Sequence, residues 1–307
     1  MDQVTSYILM VRPSSFGFNA ETAINNTFQK EPLPGDPIQV SVKAREEFDA
    51  FVDILRREGV DVTVLQDTDA PQKPDAIFPN NWVTFHGDGT MVTYPMYSPL
   101  RRLERREDLP SELSKRFFIN REIHLEEEES ENRFLEGTGS TVLDRVNKIA
   151  YACISQRTDK QLLETWCSQM GYTPFLFHAV SNGTPIYHTN VMMAIGSKVA
   201  IVCLDCLPDL SERNMLRQKL SKHHDVVEIS NQQVDSFAGN MLAIRNDEGE
   251  ELMVMSATAE ASLTEEQRKI IEESCRIVSA PIPTIESIGG GSARCMIAEI
   301  FLPEKKL

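Results

Sequence analysis

The feature that most constrains this chain is a repeat of roughly fifty residues. Polar loops reading DAIFPNNW (75–82), LEGTGS (135–140), IYHTNV (186–191), SFAGNM (236–241) and GGGSARCM (289–296) recur along it. Marked at Asn81, Glu136, Asn190, Asn240 and Cys295, they are separated by 55, 54, 50 and 55 residues. Self-similarity at a fixed period of this size marks an array of equivalent supersecondary units.

Between the loops, helix-like and strand-like runs alternate. Residues 43–58 place Phe48, Phe51, Val52 and Leu55 on one helical face and stop at Gly59. Residues 159–170 do the same with Leu162, Leu163, Trp166 and Met170, and Gly171 follows. Helices are also expected over 211–222 and over 264–275, where Thr264 and Gln267 have capping-box spacing. A weaker helix falls at 111–116. A strand-like apolar run follows each helix, at 60–65, 117–125, 172–180, 226–229 and 277–285. The pattern therefore predicts an α/β fold of five pseudo-symmetric units. A ring of such units brings all five polar loops to one centre.

Composition excludes several functions. Against 46 Asp and Glu the chain has 31 Lys and Arg, a net charge of −15. That balance speaks against nucleic acid or an anionic membrane surface as a partner held by charge. No apolar run approaches the roughly 20 residues of a bilayer span. The first residues lack a basic and then apolar leader pattern. Six cysteines scattered over 153–295 in a large chain do not make a disulfide framework. These features predict a cytoplasmic protein with reduced thiols. No linker divides the chain, so residues 1–307 are expected to form a single catalytic domain.

Three residues on equivalent loops can do chemistry. Cys295 follows a glycine-rich run, whose backbone N–H groups can face and stabilise a thiolate or an oxyanion. It also opens an apolar run, where cysteine is a common small core residue. His188 precedes another apolar run; alone it reads as structural, but paired with a nucleophile it becomes an acid/base candidate. Glu136 either caps a turn or orients that histidine. Cys203 and Cys206 form a C-x-x-C match. A dithiol would need them at a helix N-terminus, and a structural zinc would need two more ligands. His223 and His224, at a polar helix end, are expected on the surface. No G-x-G-x-x-G or P-loop follows a strand, so no nucleotide site is expected.

With these three residues on separate repeat loops, the sequence resembles the guanidino-group-modifying superfamily. That superfamily includes arginine deiminase, dimethylarginine dimethylaminohydrolase and glycine amidinotransferase. The nearest resemblance is to its amidinotransferase-like branch of citrulline-utilisation hydrolases. The blocks FPNNW, EGTGS, ISQRT, YHTNV, FAGNM and GGGSARCM occur here in order between Phe78 and Met296, and MVRPSSFGFN lies at 10–19. The resemblance implies a five-bladed α/β propeller and a Cys-His-Glu site at Cys295, His188 and Glu136. It implies a carboxylate-gripping arginine at Arg157 and a second at Arg101 or Arg102, of which Arg102 is taken as the contact. Phe78 falls where an aromatic ring packs on the planar group of the substrate. It implies no metal and no organic cofactor.

Two departures bear on the substrate. Arginine deiminases carry Asp where this chain has Asn81 and Asn190. Carboxylates hold a guanidinium through charge-assisted pairs, whereas an amide offers one donor group and one acceptor. A neutral ureido group offers the same pairing. The expected reaction is therefore hydrolysis of citrulline to ornithine, ammonia and carbon dioxide. Arginine deiminase-, dimethylarginine- or amidinotransferase-type activity is the alternative. A non-catalytic binding protein on the same fold is an alternative of another class. The expected partner is a small amino acid, and the oligomeric state stays open, a homo-oligomer included.

Overall fold

The computed structural model describes residues 2–31 and 37–305. Within them the chain builds five three-stranded sheets and one two-stranded hairpin, Val180–Ser181 with Thr184–Pro185. Each sheet repeats one pattern. A short inner strand runs antiparallel to a middle strand, and the middle strand runs parallel to an outer one. The second sheet orders Val83–Phe85, Thr90–Thr93 and Arg121–His124 in this way. The third uses Val142–Asp144, Ile149–Cys153 and Thr173–Phe177. Met193–Ile195, Val199–Val202 and Asp225–Glu228 form the fourth, and Leu242–Arg245, Glu251–Ser256 and Arg276–Ala280 the fifth. The first sheet is closed by the end of the chain: Ala298–Ile300 pairs with Tyr7–Arg12, which runs parallel to Asp61–Gln66.

The parallel step requires a crossover, and helices supply it. Pro37–Arg57 buries Phe48, Phe51, Val52 and Leu55. Lys160–Met170 buries Leu162, Leu163 and Trp166. The Asp159 side chain caps its N-terminus, and Gly171 ends it in the left-handed conformation. Leu210–Leu220 and Glu265–Glu272 take the corresponding places, the latter with the expected Thr264–Gln267 capping box. The fully buried middle strands read as continuous apolar runs, such as Ile149–Cys153 and Val199–Val202.

One expected strand is shorter than its apolar run. Residues 277–285 pair only as far as Ala280, and Ile285–Gly289 is a turn of π-helix. Pro281 and Pro283 remove the N–H groups that would extend the ladder. His224, expected on the surface, is buried and lies 3.9 Å from Asp144.

The inner strands stand side by side. Val83–Phe85 packs against Ala298–Ile300, and Met193–Ile195 against both Val142–Asp144 and Leu242–Arg245. The loops entering these strands therefore share one end of the molecule. Four carry Asn81, Glu136, Asn190 and Cys295 in or at short helical turns, and Asn240 lies two residues before the fifth-sheet strand Leu242–Arg245. The turn bearing Gly137–Ser140 touches both Pro79–Asn81 and Thr189–Val191.

Candidate active site

A cavity lies where these loops meet. Cys295, His188, Arg157, Phe78 and Asn81 line it, as do Asp75 and Arg101.

Cys295 sits in the turn Ala293–Met296, and its N–H donates to the Ser292 carbonyl at 3.0 Å. Two side-chain amides point N–H groups at its sulfur: Asn240 Nδ2 at 3.2 Å and Asn190 Nδ2 at 3.6 Å. The glycines before it permit close approach of an aromatic ring. A Cβ on Gly291 would lie 2.9 Å from the Phe78 ring and 3.3 Å from the Cys295 Cβ. The loop is pinned from behind, because the Ser292 hydroxyl donates to Glu286 at 2.6 Å from the π-helical turn. Burial pushes the Glu286 carboxyl up, against the pull of its hydroxyl donors.

His188 Nε2 lies 2.7 Å from Glu136 Oε2. The other oxygen of Glu136 accepts the Tyr97 N–H at 2.9 Å, and Arg157 Nη1 is 3.5 Å from Oε2. Burial alone would raise the Glu136 carboxyl. Arg157, His188 and Arg101 outweigh it and bring the carboxyl down to about 2. Burial also lowers His188, to about 4, because it disfavours the cation more than Glu136 favours it. The resting pair is thus a carboxylate and a neutral imidazole.

Both cavity arginines are held by their own chain. Arg157 Nη2 donates to the Thr22 carbonyl at 3.1 Å, and Nε donates to Asn25 Oδ1 at 3.0 Å. Arg101 makes a two-pronged pair with Glu104, both contacts at 2.9 Å, and its Nη1 donates to Asn81 Oδ1 at 2.8 Å. That last bond sets the Asn81 amide. Its oxygen is engaged, so its Nδ2 is the end left buried without a partner. A Cβ on Gly139 would sit 2.3 Å from that nitrogen and 2.8 Å from the His188 ring.

Of the residues expected from sequence, Cys295, His188, Phe78, Asn81 and Arg157 line the cavity. Glu136 stands behind His188, and Asn190 beside the sulfur. Arg102 does not join them, which corrects its expected place at the cavity. Its Nε donates to the Met96 carbonyl at 3.0 Å, beside Glu129, and Arg101 faces the cavity instead. The two adjacent arginines lie on one helical turn, Pro99–Arg102, so they point to different sides.

Asp75 was missed, although it opens the first polar loop. It is buried 3.9 Å from Arg101, accepts from Asn19 Nδ2 at 2.7 Å and has one oxygen without a partner. Burial raises its carboxyl despite Arg101. Asn240 was read only as a marker of the repeat. Thr22, Asn25 and Asn26 come from a segment with no repeat signature, and nothing in their pattern announces them. Cys203 and Cys206 are buried at the start and end of a short turn, both near Asn231 Oδ1, rather than at a helix N-terminus. Among the described residues, no group of three or more His, Cys, Asp or Glu is arranged to hold a metal ion. No helix among them is long and apolar enough to cross a membrane.

Solved structures share this architecture. The N-terminal domain of ArgZ, covalently bound to a reaction intermediate, aligns with a TM-score of 0.73 at 14% identity, over 97% of this chain and 98% of that one. Unliganded AgrE aligns with a TM-score of 0.74 at 14% identity, over 98% of this chain but 40% of its own length. This chain thus spans about two fifths of that protein. A dimethylarginine dimethylaminohydrolase adduct with S-methyl-L-thiocitrulline aligns with a TM-score of 0.66 at 14% identity, over 97% of this chain and 100% of that one. At such identities these likenesses speak to the fold. No curated protein matches the chain in sequence. The family model for N,N dimethylarginine dimethylhydrolase, eukaryotic, matches residues 12–302. A match over nearly the whole chain makes this protein a member of that family, within the pentein superfamily of guanidino-modifying enzymes.

Proposed function

We propose that this protein is a cysteine-dependent hydrolase of the C–N bond in an arginine-derived amino acid, with citrulline as substrate. Its five sheets are read as the blades of one propeller domain, with the cavity on the pseudo-axis. The observation that carries the substrate assignment is the fixed orientation of Asn81. Arg101 holds its oxygen, so Asn81 presents a donor. A donor suits the carbonyl oxygen of a ureido group and opposes the all-donor edge of a guanidinium. The oxygens of Asn190 and Asn240, both buried without partners near the thiol, suit the ureido N–H groups.

In this reading neutral His188 takes the Cys295 proton, and Glu136 stabilises the imidazolium so formed. The thiolate adds to the ureido carbon, and the Asn81 Nδ2–H, already assigned to the ureido oxygen, stabilises the oxyanion. His188 returns its proton to the departing amine, releasing ornithine and leaving a carbamoyl thioester. His188 then activates water, which displaces the thiolate, and the released carbamate decays to ammonia and carbon dioxide. Arg157 and Arg101, which line the cavity, hold the substrate carboxylate, and Asp75 receives the ammonium. Binding at that end places the reacting carbon.

A second reading takes arginine or a methylated arginine. The family model favours it, and so does the description of ArgZ as an arginine dihydrolase. The two separate in one assay. Purified protein is incubated with citrulline, arginine or asymmetric dimethylarginine, with Cys295→Ala as control, and ornithine, citrulline and ammonia are quantified. Ornithine from citrulline alone is expected. Citrulline from arginine or dimethylarginine overturns the substrate assignment, and full activity in Cys295→Ala overturns the mechanism.

A further inference from the structure

Asn240 makes the shorter of the two side-chain hydrogen bonds to the sulfur of Cys295, and the reaction as written uses only its oxygen. It follows Ser236–Gly239, a tight turn in which the Asn240 N–H donates to the Phe237 carbonyl at 2.8 Å. Phe237 adopts a left-handed conformation, with φ of 61°. Gly239 presses on the neighbouring unit, since a Cβ there would lie 2.3 Å from the Val191 carbonyl oxygen. That approach brings the Asn240 amide across to the next loop. Its Nδ2 donates both to the Asn190 carbonyl at 3.0 Å and to Cys295 Sγ at 3.2 Å. The side chain is buried, at 1% exposure.

The charges around the sulfur are largely committed elsewhere. Arg101 is paired with Glu104 and Asp75. Arg157 and Glu136 face each other. His188 is bound to Glu136, and the Tyr187 hydroxyl donates to the Gly290 carbonyl. On its own turn, Arg294 is paired with Glu299. The direct donors to the sulfur are two neutral amides, and the 3.6 Å contact from Asn190 is the longer. A hydrogen bond to a charged acceptor is stronger than one to a neutral acceptor, so a donor at the sulfur favours the thiolate over the thiol.

Resting on Cys295 as the nucleophile, we propose that Asn240 is a positioning residue that holds the sulfur and the 190–192 turn together and favours the thiolate through its Nδ2–H. Asn240→Asp keeps the shape, removes the donor and places a carboxylate beside the sulfur. Asn240→Ala removes the whole amide, donor and oxygen together.

The test is the pH dependence of Cys295 alkylation by iodoacetamide, with the label located by mass spectrometry. It is run on wild type, Asn240→Ala and Asn240→Asp, alongside steady-state kinetics and melting curves. The ionisation midpoint should rise by about one pH unit or more in Asn240→Ala, in keeping with a lost bond to a charged group, and further in Asn240→Asp. The kcat should fall in both variants, and in Asn240→Asp, which keeps an acceptor oxygen, with little change in KM. An unchanged midpoint and kcat in either folded variant overturns the proposal. Wild-type label that avoids Cys295 overturns the nucleophile assignment and the proposal with it.

Discussion

Replacing Gly139 with alanine tests whether Asn81 and His188 act as a positioned pair. The added Cβ would meet Asn81 Nδ2 at 2.3 Å and the His188 ring at 2.8 Å, where ordinary contact begins near 3.4 Å. Asn81 must therefore retreat by about 1 Å and the imidazole by about half that. Neither can do so freely. Asn81 is held by Arg101 at 2.8 Å, and His188 by Glu136 at 2.7 Å. A misplacement of about 1 Å in a reacting array costs roughly 100-fold. Stability should respond less. Loss of the Arg101–Asn81 bond costs about 1.5–3 kcal/mol, partly offset by about 0.5–1 kcal/mol from replacing glycine in a helical turn. The expected outcome is a kcat/KM on citrulline lowered by roughly two orders of magnitude in a protein that still melts cooperatively. Gly17→Ala is the control, since its Cβ meets nothing within 4 Å. Ornithine release is followed by steady-state kinetics, and melting by circular dichroism. A Gly139→Ala enzyme within threefold of wild type would refute the idea that the Asn81 donor and the imidazole need their present places.

The neighbouring arginines should separate cleanly. Arg101→Met strands buried Glu104, whose carboxyl burial already raises to about 7, and should cost about 3–5 kcal/mol in denaturant unfolding together with turnover. Arg102→Ala breaks only part-exposed contacts and should cost about 0–1 kcal/mol with kcat/KM retained. The His188 contribution to stability should rise with pH between about 4 and 6.5, against the opposite trend from Glu104, whose raised carboxyl loses stability as pH climbs toward 7. His188 is neutral in the fold down to about 4 but protonated below about 6.5 when unfolded, so the unfolded chain binds more protons across that window. Glu136, held down to about 2, extends the His188 trend to lower pH; with Glu104→Gln as the background, urea midpoints that stay flat from about pH 3.5 to 6.5 would contradict both. Combined Cys203→Ala and Cys206→Ala should leave kcat unchanged in reducing and oxidising buffer; a loss confined to the oxidised sample in wild type alone would restore a redox role for that pair.

The period of the loops exposed the five units because every unit places its polar turn just before a short inner strand. Helix ends were legible where local chemistry decides them, as at Asp159, Gly171 and Thr264. The end of the fifth outer strand was not, since the apolar run continues through Pro281 and Pro283, where the ladder cannot. Arg101 and Arg102 differ only by their side of a single turn, which no linear pattern resolves. Asn25, which caps Arg157, acts over a large sequence separation from an element without periodicity, and Glu286 pins Ser292 from a π-helical turn that no period signals. His224, expected on the surface beside His223, lies against Asp144 of another unit, a contact that its local sequence does not signal.

The distribution of charge in the cavity gives the strongest reason to treat the thiol end and the amino-acid end as separate sites. Arg101, Asp75 and Arg157 stand at one side, each balanced by a partner. Around the sulfur stand the amides of Asn190 and Asn240, with Asn81 turned by Arg101 so that it donates. A carboxylate beside the sulfur would hold a guanidinium but would also oppose formation of the thiolate. Amides avoid that conflict and leave the reacting centre uncharged. Asn81→Asp should therefore move the enzyme in two directions at once: better binding of arginine, read as a lower KM, and slower alkylation of Cys295 near neutral pH. If arginine binding improves while alkylation is unaffected, the charge at position 81 does not reach the sulfur, and the amide ring serves the substrate alone.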